Sequence, residues 1–265
     1  MSTPSYALRD SMTMLRRNLK HAQRYPSMTV SLVAMPILML LLFVYVFGGA
    51  LGHGIGMPGG ANDHGAYVDY VAPGIILMTV TSGAISTAVS VSMDMTEGIV
   101  NRFRTMAIAR SSVLTGHVVG SVVQTLISVA LVTGVALAVG FRPHGTPLQW
   151  AAALGLLTLL AFALTWLAAA MGLAAKTVES ASNAPMPLTF LPFLGSAVVP
   201  PESMPTGLRW FAEYQPFTPI NETLRGLLMD TPVGSSATAA VAWCAGLALV
   251  GYVWALTNFR RTAKR

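Results

Sequence analysis

Apolar residues in this chain come in long blocks, separated by short islands of charge. Stretches without Asp, Glu, Lys or Arg run over residues 25–62, 70–93, 111–141, 143–175, 180–201 and 231–259. A helix rises about 1.5 Å per residue and the hydrocarbon core of a bilayer is about 30 Å thick, so about 20 apolar residues cross it. Each stretch holds such a run, the one at 180–201 being the tightest fit. Spans are therefore predicted over 28–49, 71–93, 113–140, 148–174, 184–200 and 236–258. The fold class that follows is an all-α membrane protein with six transmembrane helices, because a lone helix satisfies its backbone groups internally in lipid.

Two further patterns lie outside the spans. Leu8, Met12, Leu15 and Leu19 fall on one helical stripe, with Arg9, Arg16, Arg17, Lys20 and Arg24 away from it. Residues 1–26 thus read either as an amphipathic helix lying in the membrane interface, basic side toward the head groups, or as a plain basic flank. Residues 27–265 form the six-span domain. After span five, residues 200–232 carry six prolines together with helical patterning. Leu208, Phe211 and Ala212 share one face, and Leu224, Leu227 and Leu228 another, predicting short amphipathic helices at about 206–213 and 219–229. Thr218–Pro219 suits a cap followed by proline at the first helical position. This outer segment either dips back as a re-entrant hairpin or lies flat, anchored by Trp210, Phe211 and Tyr214. The Gly-rich stretch 51–70 is predicted as a flexible outer loop, and its His53, Asp63, His64 and Asp69 read as solvated residues rather than a metal site.

Composition sharpens this picture. Charged residues make up 10% of the 265 and apolar ones 54%, with a mean hydropathy of +0.61. The net charge of +6 would suggest nucleic acid in a soluble protein, but the positions of the charges give a better account, and no nucleic-acid partner is expected. Thirteen Lys and Arg fall in the N-terminal segment, the 94–112 island, the link after span four and the tail, against three, Arg142, Arg209 and Arg225, in the opposite set. Cytoplasmic loops are enriched in such residues, which puts both termini in the cytoplasm. The one cysteine, Cys244, allows neither an intrachain disulfide nor a cysteine metal cluster. No cleaved signal peptide is expected, since the first 24 residues are polar and basic and the following run is too long.

Catalytic chemistry is missing. The five histidines are scattered, and no HExxH, GxSxG or GxxxxGK[ST] pattern occurs, so the chain is not expected to be an enzyme or to hydrolyse ATP itself. The predicted spans contain no Asp, Glu, Lys or Arg. Ion coupling usually needs a carboxylate or unwound backbone at depth; only span five, with Pro185, Pro187 and Pro192, offers the second. A helix between two spans, charged to engage a soluble motor, is the alternative. The island DMTEGIVNRFRTMAIARSS fits that role. Ile99, Phe103 and Met106 line one face, Arg102 and Arg104 project elsewhere, and Asp94 and Glu97 suit a helix N-terminus. The Gly and Ala of 167–175 suit close helix packing, and so, more than ligand binding, do the methionines of 35–39.

The segment DMTEGIVNRFRTMAIARSSVLTGH resembles the link between the second and third spans of bacterial type-2 ABC exporter permeases of the daunorubicin-resistance, or multidrug, branch. Gly98 and the Arg102–Phe103–Arg104 pattern carry the likeness, while Ala109 stands where a proline precedes the arginine of the usual step. A second stretch, NAPMPLTFLPFLGSAVVPPESMPTGLRWFAEYQPFTPINETLRGLL, is similar to the span-five region of that family. The resemblance implies a permease subunit of an ATP-driven exporter that moves an amphipathic drug, lipid or glycoconjugate outward. It implies two copies of a separate ABC ATPase, a second permease chain (identical or paralogous), and a bacterial inner or plasma membrane. ATP and Mg would sit on the ATPase, with no cofactor on this chain. The island would be the coupling helix, and Glu97, Gly98, Arg102, Phe103, Arg104 and Arg110 match that element. The N-terminal helix would be a second contact. Two alternatives stay open at this point, an ion-coupled carrier or channel and a non-transporting membrane anchor of a biosynthetic complex.

Overall fold

The computed structural model of the chain describes residues 26–48, 64–96 and 110–262, and all regular structure among them is helical. Helix α1 (Pro26–Leu41) runs without a break into a π-helical stretch, Leu42–Phe47. Then come α2 (His64–Thr96), α3 (Arg110–Val139) and α4 (Pro147–Ala174). Short pieces follow: α5 (Val178–Asn183), α6 (Met186–Phe190) and a 3-10 turn over Leu191–Leu194. A second 3-10 turn (Pro201–Ser203) leads to α7 (Thr206–Tyr214), α8 (Phe217–Met229) and the long α9 (Ser236–Thr262).

Among the described residues, Gly65–Met95, Val118–Val139, Pro147–Ala174 and Ser236–Asn258 are helices long and apolar enough to cross a membrane. They correspond to predicted spans two, three, four and six. The apolar part of α1, Val33–Phe47, is shorter. The predicted fifth span is not one rod. Its prolines, 185, 187 and 192, lack the N–H that a continuous helix needs, and the chain proceeds as α6, a 3-10 turn and extended backbone at Gly195.

Local chemistry sets several boundaries. The hydroxyl of Thr146 accepts the Gln149 backbone N–H, and the Gln149 side chain accepts the Thr146 N–H at 2.6 Å, a capping box with Pro147 at the first helical position. Helix α8 ends on Asp230, whose φ of 54° is left-handed and stops the helix. The two short outer helices agree with the expected ranges to within two residues, but the expected cap does not. Helix α8 starts at Phe217, and Thr218 lies inside it, its hydroxyl donating to the Ala212 carbonyl at 2.5 Å to tie the α7–α8 corner. The predicted outer loop also gives up residues 64–70 to α2. Tyr67 and Val68 are buried there, and Asp69 accepts the Arg142 backbone N–H at 2.8 Å. Tertiary packing thus overrides the Gly-rich signal before it.

Helix α4 is the centre of the bundle, packing on α9, α2, α3 and α8. Ala168, Ala169, Ala170 and Gly172 are buried, as their composition suggested. At Gly172 a methyl group would lie 2.5 Å from the Ala88 carbonyl oxygen of α2, so only glycine lets these helices touch backbone to backbone. Trp166 and Tyr252 join α4 to α9 edge to face, with centroids 4.9 Å apart.

Candidate substrate cleft

The break in the fifth span creates the most distinctive feature of the molecule. Helices α1 and α2 and the pieces α6 and 191–194 surround a cavity of about 680 Å³, within the size range of pockets for drug-like molecules. Met35, Pro36 and Met39 line it from α1, and Met186, Phe190 and Phe193 from the broken span. Met35 and Phe190 are more than half exposed, at 55% and 57%, so the cavity is an open cleft rather than a sealed void. From α2 come Met78, Ile85 and Val89, together with a line of hydroxyls on Thr81, Ser82, Ser86 and Ser90. Residues 82, 86 and 90 recur every four positions and therefore share one face. The side chains facing the cleft include no ionisable group among the described residues.

One polar cluster holds the far end of the broken span. The Ser196 carbonyl oxygen accepts from Arg225 Nη2 at 2.6 Å, Asn221 Nδ2 at 2.9 Å and the Tyr70 hydroxyl at 3.2 Å. Arg225 also donates from Nε to the Tyr70 carbonyl at 3.2 Å, and its guanidinium carbon stands 3.8 Å from the Tyr70 ring centroid. Burial lowers the Arg225 pKa, opposed by Tyr70 and Glu222, and the side chain stays cationic at neutral pH. Behind this cluster Gly74 lies against Ala197, where a methyl group would come within 2.5 Å of the carbonyl oxygen. Gln215 Nε2 donates to the Leu191 carbonyl at 2.9 Å, so α8 and its N-terminal corner hold both ends of segment 191–196. Helix α8 is packed among α2, α4 and α9, with Phe217, Ile220 and Leu224 almost wholly buried. At its other end Leu228 accepts the His144 and Gly145 N–H groups, and Asp230 accepts Gln149 Nε2 at 2.6 Å.

The residues predicted to couple to a motor are placed differently. Glu97, Gly98, Arg102, Phe103 and Arg104 lie outside the described residues, as do His53, Asp63 and the N-terminal amphipathic segment. Arg110 is the first residue of α3, and Asp94 lies in the last turn of α2. The two helices that flank the island are thus spans two and three, as predicted. Met35 and Met39, assigned mainly to packing from sequence, line the cleft. Sequence reasoning overlooked the serine line on α2 and the anchor at Ser196. The first was visible as Ser at a four-residue interval in TSGAISTAVSVS. The second was not, because its hub is a backbone atom.

Comparison with known proteins adds an independent line. A family model described as "ABC-2 type transporter" matches residues 10–229. The "Daunorubicin resistance ABC transporter permease protein DrrB1" of Streptomyces coeruleorubidus is 28% identical over 226 residues, covering 85% of this chain and 77% of that protein. The "Probable doxorubicin resistance ABC transporter permease protein DrrC" of Mycobacterium tuberculosis (strain CDC 1551 / Oshkosh) is 24% identical over 237 residues, covering 88% and 82%.

Proposed function

Given that this chain belongs to the ABC-2 type transporter family, we propose that it is the membrane subunit of an ATP-driven exporter for an amphipathic drug, lipid or glycoconjugate. The observation that carries this reading is the cleft between α1, α2 and the broken fifth span, apolar in its walls, hydroxylated along one side and of drug-like size. The names of the two relatives, both drug-resistance permeases, support export of such a cargo. A second permease chain, identical or paralogous, and two copies of an ATPase complete the proposed complex, which lies in a bacterial plasma membrane with both termini in the cytoplasm. ATP and Mg sit on the ATPase.

In this mechanism the cargo leaves water or lipid for the cleft, where apolar burial holds it. Residues 94–112 meet the ATPase between spans two and three, with Glu97, Gly98, Arg102, Phe103, Arg104 and Arg110 at the contact. Closure of the ATPases pushes on α2 and α3 together, and α2 is one wall of the cleft. The facing wall, 186–194, is a chain of short pieces, so it can move by changing a few backbone angles at its breaks. Its end at Ser196 stays tied to α2 and α8. Movement of α2 therefore changes the shape of the cleft, and in this proposal the α7–α8 hairpin, tied to Ser196, caps the outward path.

The test is coexpression with a candidate ABC ATPase subunit. The wild-type chain is expected to copurify with it and to drive ATP-dependent export, read as cargo uptake into inverted vesicles. Replacing both Glu97 and Arg102 by Ala is expected to lower efflux at least tenfold while leaving the amount of folded permease unchanged. Copurification failure together with full efflux by the double variant would refute the coupling assignment. Uphill transport by the chain alone on an ion gradient would favour the carrier reading instead.

A further inference from the structure

The Ser and Thr hydroxyls of residues 79–90 of α2 divide into two groups. Thr79, Thr81, Ser82 and Thr87 each donate back to a carbonyl of their own helix, at 2.8–3.0 Å, to Ile75, Met78, Met78 and Gly83. This is the usual way for a hydroxyl to satisfy itself in a membrane helix. Ser86 and Ser90 do not follow it. Both face the cleft, both are partly buried, and neither has a hydrogen-bond partner among the described residues. They stand one helical turn apart, about 6 Å along the axis. A polar group taken from water without a partner carries a free-energy cost, and a lipid chain cannot supply one.

The rest of the wall narrows the choice of partner. Met35, Met39, Phe190 and Phe193 offer soft and aromatic apolar surface. No carboxylate, ammonium, guanidinium or imidazole faces the cleft among the described residues. A cargo charge buried there would meet no counter-charge to offset its lost hydration, whereas two carbonyl or hydroxyl oxygens on an apolar body would meet two free donors.

We infer that Ser86 and Ser90 are specificity-determining residues that hydrogen-bond oxygen atoms of a single uncharged, largely apolar cargo. The inference rests on the exporter reading for its physiological meaning and on the cleft alone for its chemistry. Any charged group of a natural cargo stays outside the cleft or is neutralised before entry.

The test uses the full chain in lipid nanodiscs and three ring-matched probes: 9,10-anthraquinone, anthracene, and an anthraquinone bearing a quaternary ammonium group. Saturable binding of tritiated anthraquinone is expected, with the quaternary compound competing at least tenfold more weakly. The double variant Ser86→Ala/Ser90→Ala should bind anthraquinone about tenfold less tightly and anthracene as the wild type does. Ser86→Thr/Ser90→Thr, which keeps both hydroxyls, should restore most of the loss. Ser90→Asp should admit the quaternary compound. Unchanged anthraquinone binding by the double Ala variant would overturn the inference. So would equal binding of the quaternary probe to the wild type. Absence of saturable quinone binding would overturn it too, and would leave lipid or a second copy of the chain as the occupant. ATP-driven efflux of anthraquinone separates the two readings. Efflux with serine-independent binding defeats the hydroxyl assignment and leaves the exporter, while serine-dependent binding without efflux defeats the exporter alone.

Discussion

Arg225 shows how much one side chain can organise. It crosses from α8 to the end of the fifth span and to α2, with two charged hydrogen bonds and a stacked ring. Arg225→Leu is expected to cost about 2 kcal/mol, since hydrogen bonds to a charged group are worth about 1.5–3 kcal/mol. In a chain of this size that lowers the melting temperature by about 4–8 °C, measurable on the purified protein in detergent. Arg225→Lys should lose most of the same stability, because an ammonium cannot reproduce a planar fork that bonds two carbonyls and stacks at once. A Leu variant that melts with the wild type would remove the anchor from the account. Gly74→Ala is expected to cost about 1–3 kcal/mol, because its methyl would collide with the Ala197 carbonyl. From sequence, Arg225 looked like one of three outward basic residues. Nothing in its neighbours told of Tyr70, 155 positions away, because a long-range contact leaves no local periodicity.

At the scale of elements, spans two, three, four and six were legible because length and apolar content alone decide them. Helices α7 and α8 were legible from the leucines and aromatics of one face, even through six prolines. The fifth span was placed by hydropathy and its three prolines marked it as the one place where backbone could unwind, and the helix does break at Pro185, Pro187 and Pro192, which lack the N–H. The cap of α8 misled, because Thr218 lies inside the helix and its hydroxyl donates to the Ala212 carbonyl instead of accepting an N–H of the first turn. The cap of α4 offers a clean check. Thr146→Ala removes the hydroxyl that accepts from Gln149 and is expected to cost about 1 kcal/mol. Faster amide exchange at the first turn of α4, with α9 unaffected, would mark the loss as local. Uniform acceleration would show that the cap does more than close one helix.

For the whole molecule, the charge asymmetry makes the sharpest prediction. Cys244 is the only cysteine and is buried in α9, so replacing it by Ala provides a thiol-free background. In that background Gly59→Cys is expected to react with a membrane-impermeant maleimide in intact cells. Labelling only after lysis would reverse the topology and place the 94–112 island on the wrong side for a cytoplasmic ATPase. The cleft itself could not be read from the sequence. Its walls come from three parts of the chain, and each looks like ordinary membrane helix until the prolines part the fifth span beside α2. The oxygen at Ser196 has a further consequence for how this protein can vary. It belongs to the peptide backbone, so every codon at 196 supplies it, but Ser196 is buried and its hydroxyl also accepts from Asn221 Nδ2 at 3.2 Å, so a saturation scan there should tolerate only small side chains. Intolerance of almost any change should appear at Tyr70, Asn221 and Arg225, so that position 196 would look merely size-limited in a survey of sequence variation while its distant donors stand out.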